Sequence, residues 1–267
     1  EEEEEAEEGE EPDRSMLSII FPGYLGVRSA LGTLSLLQCL GFGISLAVGA
    51  GVGDSVGLCT LYHMGAAWAP AMAHGGWWRL VGQIFLHGSL QHLLSNIIFQ
   101  CRLGFAVEGE LGSGRFYALY LVSGVLGNLF SAAMDPFKLS VGASGSAFAM
   151  LGASMLQLMT RWHSIDPVAR QGRVLVYALV IPTFFIDKGM DRWCHMGGCA
   201  AGGLLYLLLS PEADSSQSRR LTRPLAATSV FGWTLANFIT VFNIDWNAAP
   251  QLACGTLLHP GTVLAAA

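Results

Sequence analysis

The stretch WCHMGGCAAGGLLYLLL, running from Trp193 to Leu209, decides how this chain folds. It carries no Asp, Glu, Lys or Arg, and Gly198 and Gly202 stand four residues apart within it. A Gly-x₃-Gly pair lets two membrane helices approach until their backbones touch. The one side chain here that titrates near neutrality is His195. Such a group inside an apolar span is costly and commonly functional. The competing reading is a histidine satisfied by the backbone of a partner helix.

Further apolar segments alternate with short polar ones at residues 30–49, 85–103, 117–134, 146–159, 174–186 and 225–242. About 20 apolar residues cross a hydrocarbon core. The segments at 146–159 and 174–186 fall short, which is tolerated where a helix borders a protein-lined aqueous cavity. The chain is 52% hydrophobic and 13% charged, against about a quarter charged in soluble domains. The expected fold is therefore all-α, a polytopic transmembrane helix bundle. It divides into an acidic tail at 1–26, a six-helix core at 27–210, and a linker, seventh helix and short tail at 211–267.

The net charge of −6 comes from the Glu-rich first residues. That run is too polar to bury anything and reads as disordered. It lacks the basic start and apolar core of a signal peptide. Nothing in the charge balance favours nucleic acid as a partner. The six cysteines are irregularly spaced and mostly sit in apolar runs, so no disulfide framework is expected.

Cationic residues set the orientation. With a cytosolic N-terminus, Arg14, Arg28, Arg102, Arg115, Arg161, Arg170, Arg173, Arg219, Arg220 and Arg223 all fall on the cytosolic side. Only Arg79, Lys138, Lys188 and Arg192 fall on the other. The segment 51–78 has Asp54 as its only charge and is rich in Gly, Ala and Trp. It is expected to lie in the membrane interface, anchored by Trp68, Trp77 and Trp78.

Three local patterns carry chemistry. Gly142-Ala143-Ser144-Gly145 opens the 146–159 segment. A serine at a helix start lies among backbone N–H groups that have no partner within the helix. Those groups can stabilise an oxyanion, although an ordinary N-cap serine reads the same way. The hydrolase elbow G-x-S-x-G is not satisfied, because Ser146 stands in its last position. His87-x₄-His92-x₃-Asn96 heads the second span. His92 and Asn96 share a helix face and can both donate hydrogen bonds. His87 points elsewhere, which argues against a helical metal pair, and neither metal nor cofactor is expected. The third pattern is His195 itself. Under the topology above all three sit near the extracytosolic face. Together they supply a nucleophile, a base and oxyanion donors, the set that acyl transfer needs. Asp191, one turn before His195, is expected to cap the sixth helix rather than orient the base.

The ordered set resembles the rhomboid family. Its members here are Trp78-Arg79, His87-x₄-His92-x₃-Asn96, Gly104-x₃-Glu108-x₃-Gly112, Gly142-Ala143-Ser144-Gly145 and His195-x₂-Gly198-x₃-Gly202. Each is short, but the order is specific, and the likeness covers roughly residues 78–209. The resemblance implies a six-helix bundle around a hydrated cavity, with Ser144 and His195 as a catalytic dyad. It implies oxyanion donors at His92, Asn96 and the Ser144 backbone, and Phe148 stacked on the base. Structural roles are implied for Trp78, Arg79, His87, Glu108, Gly142, Gly145, Gly198 and Gly202. The seventh span matches the secretory-pathway subtype, in the secretory pathway or plasma membrane. The implied partners are membrane lipid and single-span transmembrane proteins, cleaved as substrates. Two positions depart from the family pattern. Cys194 replaces a common alanine, and Phe148 replaces the tyrosine of some members. Two other readings stay open: an inactive rhomboid-like protein that binds client helices, and a small transporter.

Overall fold

A computed structural model describes residues 21, 23–49, 53–183, 190–210, 217–245 and 254, with the backbone alone for 217–221. The acidic tail, the 211–216 linker, the end of the fifth expected span at 184–186 and most of the C-terminal tail lie outside these residues. Within them the chain is all helix: α1 (Ala30–Val48), α2 (Leu58–Met64), α3 (Ala69–Ala73), α4 (Arg79–Gly82), α5 (Leu90–Leu111), α6 (Ser113–Met134), α7 (Ser144–Thr160), α8 (Pro167–Val180), α9 (Arg192–Leu209) and α10 (Gln217–Phe242).

The bundle is built around α7, whose residues 145–154 are all buried. It can be central because it is made of small residues and so are its neighbours. A methyl added at Gly198 of α9 would fall on the Gly145 carbonyl, one at Gly202 on the Ala149 carbonyl, and one at Gly152 on the Cys199 carbonyl. The Gly-x₃-Gly pair thus packs α9 directly on α7, as its spacing predicts. Among the described residues, three helices are long and apolar enough to cross a membrane: α1, α6, and α10 over Thr222–Phe242. Their outward faces carry exposed apolar side chains, such as Leu36, Leu40 and Ile44 on α1 and Phe231, Leu235 and Ile239 on α10.

Buried polar groups tie α1 to its neighbours. The buried Glu108 carboxylate accepts the N–H of Ala30 at 2.7 Å, the N–H of Leu31 at 3.0 Å and the Ser113 hydroxyl at 2.8 Å. An anion at the N-terminus of α1 complements the helix dipole and satisfies two N–H groups the helix leaves over. Gln38, Gln100 and Tyr120 hydrogen-bond in a closed set joining α1, α5 and α6.

The segment before α5 carries short helices of its own, α2 to α4. It is folded onto the bundle. Val56 N–H donates to the Gly88 carbonyl at 2.9 Å, and Ala67 and Ser140 exchange both backbone hydrogen bonds. Arg79 is buried, donates to the carbonyls of Tyr62 and Ala66, and lies over the rings of Tyr62 and Trp78. Trp68 is in the core, and Trp77 stacks on Phe238 of α10 with centroids 4.9 Å apart. Of the three tryptophans only Trp78 is largely exposed.

Two expectations are corrected. The second span starts at Leu90 rather than at residue 85, since Gln83–Phe85 is a 3₁₀ turn and the Ser89 hydroxyl caps the helix on His92 N–H. A disulfide also joins Cys59 to Cys254. Sequence spacing could not reveal it, because the partners are 195 residues apart and meet only once α10 has returned to the α2 end of the bundle.

Candidate active site

Ser144 is the first residue of α7. The N-cap position belongs to Ala143, whose side chain makes no cap hydrogen bond. Ser144 is therefore not the capping serine of the simpler reading, and no N-cap side chain occupies the N–H groups of the first turn. The turn before it depends on Gly142, whose φ of +124° is a glycine conformation. A methyl there would also meet His92 Nε2 at 2.8 Å. Gly142 thus brings the start of α7 against the start of α5.

His92 and Asn96 stand one turn apart on α5, as their spacing predicts. The Asn96 amide gives one hydrogen to the His92 carbonyl at 2.9 Å, which leaves its second for the cavity that it lines. His87 is fully buried and meets the His92 ring edge to face, centroids 5.2 Å apart.

His195 sits in the first turn of α9, buried at 3% exposure. Its ring stacks on Phe148, one turn after Ser144, with centroids 4.1 Å apart and planes 14° from parallel. Asp191 is the N-cap of α9. Its carboxylate accepts Cys194 N–H at 3.1 Å and the hydroxyls of Ser131 and Ser140. It caps α9 and ties that cap to α6 and to the segment leading into α7.

A cavity of about 510 Å³ opens among the ends of α5, α7, α8 and α9. Ser144, His195, His92, Asn96 and Phe148 all line it, with Ser95 and Phe99 on the α5 side and Val180 and Thr183 on the α8 side. Of the residues expected to have structural roles, Gly145 and Gly198 form the α7–α9 contact just behind Ser144, and Glu108 and Arg79 act at a distance through the packing described above.

Some residues of the site were not singled out in the sequence. The buried Asn128 receives the Cys194 thiol at 3.0 Å and donates to the Leu80 carbonyl at 2.7 Å. Cys194 thus does more than fill an alanine's space, since it links α9 to α6 beside His195. A lone amide in an otherwise apolar span was the available signal for Asn128. Ser131 and Ser140 gave none.

The family model for the rhomboid domain matches residues 74–212. This chain belongs to the rhomboid family. It is 28% identical to Rhomboid-like protease 1 of Toxoplasma gondii over 225 residues, 82% of this chain and 75% of that protein. It is 36% identical to RHOMBOID-like protein 5 of Arabidopsis thaliana over 159 residues, 57% of this chain and 51% of that protein. With Rhomboid protease GluP of Bacillus subtilis it shares 30% over 182 residues, 68% of this chain and 36% of that one. The chain thus spans three quarters, about half and about a third of these relatives. Rhomboids are integral membrane proteins, mostly intramembrane serine proteases, with some inactive members.

Proposed function

We propose that this rhomboid is an active intramembrane serine endopeptidase with Ser144 as nucleophile and His195 as its base. The observation that carries the reading is the shared cavity. A serine at an uncapped helix start, a ring-stacked histidine and two hydrogen-bond donors all line it. Ser144 Oγ attacks the scissile carbonyl and His195 takes its proton. The oxyanion receives hydrogen bonds from Ser144 N–H and from the side chains of His92 and Asn96. His195 then protonates the leaving amine, and water repeats the sequence on the acyl-enzyme. Phe148 fixes the imidazole plane through both steps.

The substrate is a single-span membrane protein reaching Ser144 sideways, between α5 and α8. Two features support that direction. The cavity is lined from both of those helices, and α8 is loosely held, with Tyr177 its only buried residue. An intact helix hides its carbonyls in internal hydrogen bonds, so substrates with Gly, Pro or small residues near the cut are favoured. The cavity end faces the extracytosolic side of the secretory pathway or plasma membrane, with the N-terminus cytosolic. The arginine distribution supports this, as does the disulfide, since Cys59 lies close to the contact between Val56 and Gly88 at the cavity end.

The test uses purified protein and a labelled transmembrane substrate. Ser144→Ala and His195→Ala are each expected to abolish cleavage, with the double variant no worse, because the pair acts as a unit. Substantial turnover by Ser144→Ala refutes the assignment. Substrate binding without cleavage by the unmodified protein identifies an inactive client binder instead.

A further inference from the structure

One wall of the cavity is the segment between α6 and α7. Lys138, Leu139, Ser140 and Val141 all line it, ahead of Ser144. Backbone hydrogen bonds fix this segment along its length. Lys138 N–H donates to the Asp135 carbonyl at 3.2 Å, Ser140 exchanges both of its bonds with Ala67, and Gly142 N–H donates to the Gln83 carbonyl at 3.0 Å. Lys138 therefore holds a set place relative to the proposed nucleophile.

The Lys138 side chain reaches toward the start of α9, where Nζ donates to the Met190 carbonyl at 3.0 Å. An ammonium has three N–H groups, so this contact uses one of them, and a carbonyl does not cancel the charge. Asp191 lines the cavity as well, but its carboxylate already accepts Cys194 N–H and the hydroxyls of Ser131 and Ser140. A bound polypeptide can offer an ammonium two kinds of acceptor. Its carbonyls are the same in every substrate, whereas a carboxylate depends on sequence and adds the attraction of a full charge to the hydrogen bond.

A volume of about 510 Å³ corresponds to a sphere about 10 Å across, and an extended chain advances about 3.3 Å per residue, so Lys138 can meet a side chain within about three residues of the bond cut at Ser144. Asp and Glu are costly within hydrocarbon. That places the residue on the side of the cut leading out to the extracytosolic face.

We propose that Lys138 is a specificity-determining residue that receives a substrate Asp or Glu within about three residues of the cut, on its extracytosolic side. The inference rests on the proteolytic reading above and names a sequence preference for it. The ion pair holds the unwound part of the substrate along the α6–α7 wall, with the carbonyl to be cut at Ser144.

The experiment measures kcat/KM of the full chain in detergent on a labelled single-span substrate, with Asp, Asn or Lys placed in turn at each residue of that short stretch. At one position Asp is expected to exceed Asn at least about threefold, the scale of a partly exposed ion pair, with Lys below Asn. Lys138→Gln should level Asp and Asn, and Lys138→Arg should keep the preference. Lys138→Glu should invert it, so that the Lys version is cut faster than the Asp version. Each readout is a ratio between substrates on one enzyme. A partly unfolded variant, or a lysine that serves only to hold Met190, would slow every version alike. The proposal is overturned if Asp and Asn are cut equally at every position, or if Lys138→Gln retains the preference. It is also overturned if Lys138→Arg loses the preference as fully as Lys138→Gln, or if Lys138→Glu slows all versions equally. Affinity of Ser144→Ala protein for the same series separates the two readings. A preference for Asp that needs Lys138, in a protein whose unmodified form cuts none of the series, upholds the carboxylate site and rejects the protease; cleavage without any charge preference does the reverse.

Discussion

Adding one methyl group at Gly198 tests how closely the geometry around Ser144 is set. In Gly198→Ala the new Cβ would meet the Gly145 carbonyl carbon at 2.8 Å and its Cα at 3.1 Å, and it would overlap the carbonyl oxygen. Carbon atoms rest at about 3.5–4.0 Å, so α9 must withdraw from α7 by about 1 Å. Its neighbours cannot absorb this, because every nearby atom is backbone. His195 lies one turn before Gly198 and Gly145 directly follows Ser144, so the withdrawal separates the proposed base from the nucleophile. A misplacement of about 1 Å costs about 10²-fold in rate, or about 2.7 kcal/mol in the barrier. Overpacking at the same contact should lower stability by about 1–3 kcal/mol. The assay is turnover of a labelled substrate in detergent alongside thermal unfolding. Gly203→Ala is the control, since its methyl would meet nothing closer than Leu156 Cδ1 at 3.5 Å, an ordinary contact. If Gly198→Ala keeps full activity and melting temperature, or if Gly203→Ala loses as much, the packing argument is wrong.

Other outcomes follow from contacts described above. Asn96→Ala should lower kcat by about 10² or less, the lower end of the effect of removing an oxyanion donor, with KM little changed; a change confined to KM would make Asn96 a substrate-positioning residue. Glu108→Gln keeps the shape but turns an amide donor toward the N–H groups of Ala30 and Leu31 or the hydroxyl of Ser113. It should destabilise the protein by about 1–3 kcal/mol in chemical or thermal unfolding, and unchanged unfolding would deny the carboxylate its capping role. Cys59→Ser and Cys254→Ser should each lower stability by about 2–4 kcal/mol and together by no more than either alone, whereas an additive loss would mean that the two sulfurs act separately.

Long apolar runs made the helical bundle legible because a bilayer imposes length and composition directly. The Gly-x₃-Gly spacing on α9 foretold close packing, and the four-residue step from His92 to Asn96 foretold a shared face. Those features are local, so a single segment contains the whole signal. What escaped notice depends on distant partners. Ser131 and Ser140 look like ordinary small polar residues until α9 places Asp191 between them. The segment before α5 is apolar, nearly uncharged and rich in tryptophan, which points to the membrane interface but carries no signal for its internal fold. Arg79, whose two carbonyl acceptors lie 17 and 13 residues upstream, is what holds it in place. Boundaries slipped for a related reason: the 3₁₀ turn at Gln83–Phe85 is as apolar as the helix it precedes.

The bond between Cys59 and Cys254 closes a covalent ring through most of the molecule. Both Ser144 and His195 belong to that ring, as does every helix from α3 to α10. A single backbone nick within it, whether between α7 and α8 or between α9 and α10, therefore leaves the two parts joined. On a gel without reductant a nicked chain would migrate as one species, and with reductant as two fragments.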